Sequence, residues 1–458
     1  MKKNFRAYLL PLCAVLGSIT LILTVWQCMQ LGLGVRGDHW FVAGVMLGFA
    51  VLVFLLLKKE GIEKEKRWIL LLPVGAALFL RVCCLDYSSL DYQDFLSDWY
   101  SFFKTNGGFA AFDAQVGNYN MPYLYFMAAA SYLDVPDLYL IKLFSILFDI
   151  LLAWGGFRLV RILRKEEAGA FAPLAAFVLL LFLPTVVLNG ALWGQCDGIY
   201  GAFVLHAMAS LLEGRNKTSV ILLGLAFSFK LQAIFIVPLW GVMWLAKRVR
   251  FRELLLFPLT FGAALVPALL LGKPLKDALS VYLGQMGVNV SLTFNAPSVF
   301  QFIPWGATAN QELLAGLGIL AAALLVCILL GLGWWLRKAL SHRTVLMMAV
   351  VLAVGVPFLL PYMHERYFFL ADILTLCLAC CLVRTLPIAI LTGLSSLGSY
   401  LVYLTLRYNK IVYIGESVFV MGLEALLMLA ALVMGIGFLI WEVQMWHTRT
   451  CTEKRKES

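Results

Sequence analysis

Long apolar runs recur along this chain, separated by short polar breaks. They fall at about 8–28, 39–57, 68–85, 138–160, 168–187, 196–212, 219–230, 231–246, 254–271, 313–335, 344–361, 367–384, 386–404 and 415–440. A helical crossing of a bilayer takes about 20 apolar residues. The pattern therefore predicts an all-α polytopic membrane protein with about 14 transmembrane helices. Basic clusters punctuate the runs at Lys58–Lys59, Arg161–Lys165, Lys247–Arg252 and Lys454–Lys456. Cytoplasmic loops collect Lys and Arg, so both termini are expected inside and two large loops, 86–137 and 272–312, outside.

Two stretches test this alternation. Pro122 to Leu133 is apolar but short. A crossing there would put the Arg161 cluster outside, so it reads as a short helix dipping in from the outer face. Thr218 to Ala246 has basic loops on both sides and needs an even number of crossings, which predicts two short helices meeting near Lys230 and Gln232.

Composition agrees. Hydrophobic residues make up 62% of the 458 and charged residues only 14%, against about 25% charged in soluble domains. The net charge of +10 sits in loop clusters, which excludes nucleic acid as the natural partner. The ten cysteines lie mostly within apolar runs, so neither a disulfide framework nor a metal site is expected.

Polar chemistry concentrates at the expected outer ends. Ser89 is a plausible N-cap for a helix running to about Lys104, on which Asp91, Asp94 and Asp98 share one face at i, i+3 and i+7. Phe95, Trp99, Phe102 and Phe103 form the adjoining face, giving an amphipathic helix suited to the membrane interface. Asn118, Tyr119 and Asn120 precede Pro122 as a capped turn or the rim of a substrate groove. Asp149 lies mid-run, where an acid needs a partner; bonding between helices is the favoured reading. Gln195 and Asp197 open a run at a membrane boundary. Lys230 sits inside the apolar zone and calls for an anion. His364, Glu365 and Arg366 are too polar for a simple interfacial belt, and arginine matches phosphate geometry.

In order along the chain, Asp91 with Phe95, Leu96 and Trp99, Gly107-Gly108-Phe109, Asn118-Tyr119-Asn120 with Pro122 and Tyr123, Trp193-Gly194-Gln195 with Asp197, Lys230 with Gln232, Asn295-Ala296, and His364 to Tyr367 resemble the C-type integral-membrane glycosyltransferases (GT-C). More narrowly, they look like the bacterial membrane proteins related to GPI-anchor mannosyltransferases. The resemblance implies a single integral-membrane domain over 1–458. Within it, 1–67 is a helical hairpin, 68–271 a GT-C-like catalytic module containing the loop 86–137, 272–312 the second outer loop, and 313–458 the C-terminal helices. It also implies transfer of a hexose such as mannose from a polyprenyl-phosphate donor to an extracytoplasmic glycan, lipid or cell-wall acceptor, with inversion. Asp91 or Asp94 is then the base. Lys230, Gln232, His364 and Arg366 hold the donor phosphate, and Asn118, Tyr119, Asn120, Gln195, Asp197 and Asn295 line the substrate site. No metal or other cofactor is expected, and the location implied is a bacterial cytoplasmic membrane. A secondary transporter or flippase of lipid-linked glycans is the alternative class. It predicts inverted repeats and midplane charges, of which only Asp149 and Lys230 fit.

Overall fold

Gly17 and Gly75 let two helices touch along their backbones: a Cβ on Gly17 would stand 2.8 Å from the Leu72 nitrogen. Helices in lipid associate through such close small-residue contacts, because apolar burial gives no net drive there. The helices are Lys2–Cys28 and Lys64–Val82, with Arg36–Lys59 between them in sequence. The computed structural model describes residues 2–166, 169–285, 291–303, 310–406 and 415–457. Part of the expected second outer loop, at 286–290 and 304–309, lies outside the described residues.

Almost every described element is a helix. Among the described residues, eight helices are long and apolar enough to cross a membrane, and a ninth joins them if Phe171–Phe182 and Pro184–Trp193, bent by 47°, form one span. Each of the fourteen expected runs contains a helix among its described residues. However, Asp197–Leu212, Asn216–Phe229, Leu231–Leu245 and Phe369–Cys381 are short apolar helices, and the charged Lys64–Val82 is not among the eight. Near Pro122 the chain forms a ten-residue helix, Met121–Ala130, too short to span. Between the basic clusters around 215 and 250, the Asn216–Phe229 helix ends, Lys230 breaks the chain, and Leu231–Ile236 and Pro238–Leu245 follow.

The chain divides into two compact units. The first comprises 1–209, 224–231 and 258–287; the second comprises 210–223, 232–257 and 288–458.

The first unit has an aromatic core around Tyr100, Phe103, Phe112 and Tyr123, in which Phe126 and Phe144 stack with centroids 3.9 Å apart. Its central helix is Asp137–Arg164. Asp149 on that helix accepts from Arg81 Nε at 2.9 Å, both side chains about 1% exposed. Arg81 is thus the partner that an acid in mid-run requires, and it bonds one helix to another. Two turns back along the same helix, Lys142 Nζ donates to the carbonyls of Cys84, Leu85 and Tyr87 at 2.7, 2.9 and 2.6 Å. It thereby satisfies the chain just beyond the C-terminal end of Lys64–Val82, where carbonyls have no helical partner.

The second unit packs Gln311–Trp335, His342–Leu359, Phe369–Cys381, Leu386–Leu406 and Gly415–Glu457. Buried acids bind hydroxyls between its helices: Ser396 donates to Asp372 at 2.9 Å and Ser399 to Glu424 at 2.7 Å. Its one described strand pair is parallel and two residues long, Thr293–Phe294 with Met363–His364.

Candidate active site

Ser89 caps the first loop helix as expected, accepting from the Tyr92 amide at 3.2 Å, while its own hydroxyl donates to the Trp193 carbonyl at 2.8 Å. The helix then departs from regular α geometry: Tyr92–Leu96 is a π turn before Ser97–Thr105. A π turn inserts one extra residue and so rotates the remainder of the helix about its axis. The single acidic face is therefore split. Asp91 is half-buried and turned toward the core, whereas Asp94 and Asp98 are exposed.

Asp91 is held from two sides. Gln195 Nε2 donates to its Oδ2 at 2.5 Å, and Trp193 Nε1 donates to the same oxygen at 3.0 Å. Both donors come from the segment around the Leu188–Trp193 π turn, which ends at Gly194 in the left-handed region, φ 80°. Gln195 is fixed in turn: Ser145 donates to its carbonyl at 2.8 Å, and Tyr119 Oη donates to its Oε1 at 2.8 Å. The Tyr119 ring centroid lies 5.8 Å from Lys230 Nζ, in cation–π range. Trp99 packs edge-on against Tyr119 at 5.2 Å. That packing depends on Gly117, where φ is +62° and a Cβ would lie 2.6 Å from the Trp99 ring.

Lys230 finds its anion within the same unit. Its Nζ lies 2.5 Å from Asp197 Oδ1, with side-chain exposures of 7% and 1%. Asn189 completes the grip on Asp197, donating Nδ2 to Oδ2 at 2.7 Å and accepting from the Asp197 amide at 3.2 Å. Asn120 Nδ2 donates to the Ser228 carbonyl at 3.1 Å, tying the 118–120 turn to the residues just before Lys230. The first unit thus brings together Asp91, Tyr119, Asn120, Gln195, Asp197 and Lys230 from four separated stretches.

Three of the expected substrate contacts are buried. Asn120 and Gln195 are each 1% exposed and Asp197 is fully buried. Their side chains bond a backbone carbonyl, Asp91 and Lys230 respectively. Asn118 is exposed and Tyr119 half-buried. Asp94 makes no hydrogen bond or ion pair among the described residues, so of the two candidate bases only Asp91 is oriented.

The second unit holds the other candidates. Asn295, 8% exposed, bridges to His364 through the backbone. The His364 ring stacks on Phe294 with centroids 4.9 Å apart and an 18° tilt. Glu365 is buried between its neighbours, with Arg366 Nη1 at 3.2 Å and His364 Nδ1 at 3.8 Å. Burial alone would raise the Glu365 carboxyl, but His364 and Arg366 more than offset it and hold it below the usual range. Two non-glycine residues flank this cluster in the left-handed region, Asn295 at φ 54° and Tyr362 at φ 65°. Such backbone persists only where its surroundings enforce it. Gln232 belongs to this unit and is 6% exposed.

Sequence reasoning missed Trp193 as a ligand of Asp91 and Asn189 as a ligand of Asp197. The indole beside the expected site was a signal; Asn189, inside an apolar run, was another. No family model matches the chain, and no curated protein matches it.

Proposed function

We propose that this chain is a membrane glycosyltransferase that moves a hexose from a polyprenyl-phosphate donor to a hydroxyl acceptor, with inversion and with Asp91 as the base. The observation that carries the reading is the half-buried Asp91 carboxylate, aimed by Gln195 and Trp193 in the unit that also holds the Lys230–Asp197 pair. In this reading fourteen segments cross the bilayer, the termini are cytoplasmic, and the 86–137 loop faces outward as in GT-C proteins.

The chemistry needs few groups. Asp91 takes the acceptor hydroxyl proton as the oxygen attacks the anomeric carbon, and the C–O bond to the polyprenyl phosphate breaks with its electron pair going to phosphate. Phosphate leaves without a general acid. Lys230, prepositioned by Asp197, offsets the charge that develops on the leaving group. His364 and Arg366 are the second unit's candidates for binding phosphate, and Asn118 and Tyr119 are the first unit's candidates for the sugar or acceptor.

The test is transfer of labelled hexose from polyprenyl-phosphate mannose or glucose in membranes containing the chain. Turnover in wild type that falls about 10²–10⁴-fold in Asp91→Asn supports the reading. Equal turnover in both overturns the assignment of the base, and absence of transfer from either donor overturns the donor class. A second reading, transport or flipping of a lipid-linked sugar, is favoured by the buried acids Asp372 and Glu424 on apolar helices. Movement of the lipid-linked sugar across reconstituted vesicles without turnover would select it.

A further inference from the structure

The second unit contains a cavity of about 260 Å³ that serves none of the chemistry above. Buried Leu211, Leu212 and Met243 form its floor, and Asn216, Arg248 and His342 supply its polar wall. Two helices begin at that wall, Asn216–Phe229 and His342–Leu359, and helix N-termini favour anions. His342–Leu359 is one of the eight membrane-crossing candidates, so the cavity sits at the border of the bilayer, where lipid headgroups lie.

Charge points the same way. The three loops that meet here, with the helix turns that adjoin them, carry Arg215, Lys217, Lys247, Arg248, Arg250, Arg252, Arg337, Lys338 and Arg343, against only Glu213 and Glu253. Both acids are already engaged. Glu213 pairs with Arg215, and Glu253 accepts from the Arg250 amide at 2.9 Å and from Asn216 at 3.2 Å. Arg248 is exposed and oriented, one Nη2 proton given to the Leu340 carbonyl at 3.1 Å. The rest of its guanidinium fork has the geometry that suits a phosphate. An apolar floor beneath a cationic rim at the membrane border matches a phosphate with acyl chains below it.

We infer that this cavity binds a phosphate group at the bilayer surface, namely the headgroup of an anionic phospholipid. The inference does not rest on the glycosyltransferase reading. The experiment uses the full chain, purified and delipidated in an uncharged detergent, titrated with a tail-labelled phosphatidylglycerol. Saturable binding is expected in wild type. It should weaken about tenfold in Arg248→Gln, as for loss of a charge-assisted hydrogen bond, and less than twofold in Arg343→Gln, which removes the same charge from the same loops without lining the cavity. Arg248→Lys, which keeps the charge and loses the fork, should fall between them and stands in if Arg248→Gln fails to fold. Equal weakening in Arg248→Gln and Arg343→Gln would mean diffuse attraction and overturn the site, as would unchanged binding in every variant or equally tight binding of phosphatidylcholine. Inorganic phosphate distinguishes the sources. Weak displacement at millimolar concentration identifies the lipid as occupant, whereas displacement as strong as that by the whole lipid overturns the headgroup in favour of free phosphate.

Discussion

Lys230 Nζ and Asp197 Oδ1 meet at 2.5 Å in a place where neither side chain is more than 7% exposed. Such a pair costs much to break from one side, since the remaining charge stays buried. Asp197→Asn or Lys230→Met should each destabilise by about 3–5 kcal/mol. The double variant Asp197→Asn/Lys230→Met should cost clearly less than the sum. Thermal unfolding of the four proteins in detergent gives the coupling, and strict additivity would show that the two residues do not act as a pair.

Gln195 holds Asp91 from a buried position. Gln195→Leu should lower kcat about tenfold or more and leave KM for the donor near wild type, because the base remains but loses its orientation. Gln195→Glu should do worse, placing a second carboxylate against the first. A change confined to KM would move Gln195 back among the substrate contacts.

Asp94 is exposed and unbonded among the described residues. Asp94→Asn should therefore keep transfer within about twofold of wild type while Asp91→Asn loses it, a contrast expected of a surface change against loss of a base. Inactivity of Asp94→Asn with activity retained in Asp91→Asn would exchange their roles.

Glu365 supplies a pH prediction. Its carboxyl is held below its ordinary value of 4.5 in the folded chain. Its contribution to stability is full above that value and is lost as pH falls through the lower folded value. Melting temperature should drop on acidification below about pH 4.5, and Glu365→Gln should flatten that limb while lying below wild type at neutral pH. Superimposable acid limbs would rule the contribution out.

Orientation can be read at Gln115, which is exposed. A cysteine there should react with an impermeant maleimide in intact cells. Labelling only after permeabilisation would invert the topology and remove the extracytoplasmic donor.

Much of the helix plan was legible because it rests on periodicity and charge. Flanking basic clusters located the break at Lys230, and the shortness of the Pro122 run matches the ten-residue Met121–Ala130. The candidate site was legible as a set of polar residues at apolar boundaries, but its bonding scheme was not. Asp91, Asp94 and Asp98 look equivalent on a regular helix, and only the π turn at Tyr92–Leu96 separates them. No simple spacing rule announces a π turn. Arg81 lies 68 positions from Asp149, and His364 pairs with a strand about seventy residues earlier; such partners are chosen by packing, which a single sequence does not display. Asp372 and Glu424 do not stand out in the sequence because each is flanked by apolar residues, and serines on a neighbouring helix bind them.

The π turn also makes the loop helix a device that counts residues. It stores one residue more than a regular helix of the same span, with poorer backbone geometry as the cost. Deleting the exposed Gln93 would let Leu90 to Thr105 wind as an ordinary α-helix. The shorter chain would gain in local regularity while turning Asp91 out of phase with Trp99 and with Gln195. If Asp91 is the base, as proposed, chain length at this point matters to function as much as residue identity. A search for enhanced stability would tend to erase the irregularity on which the orientation of Asp91 depends.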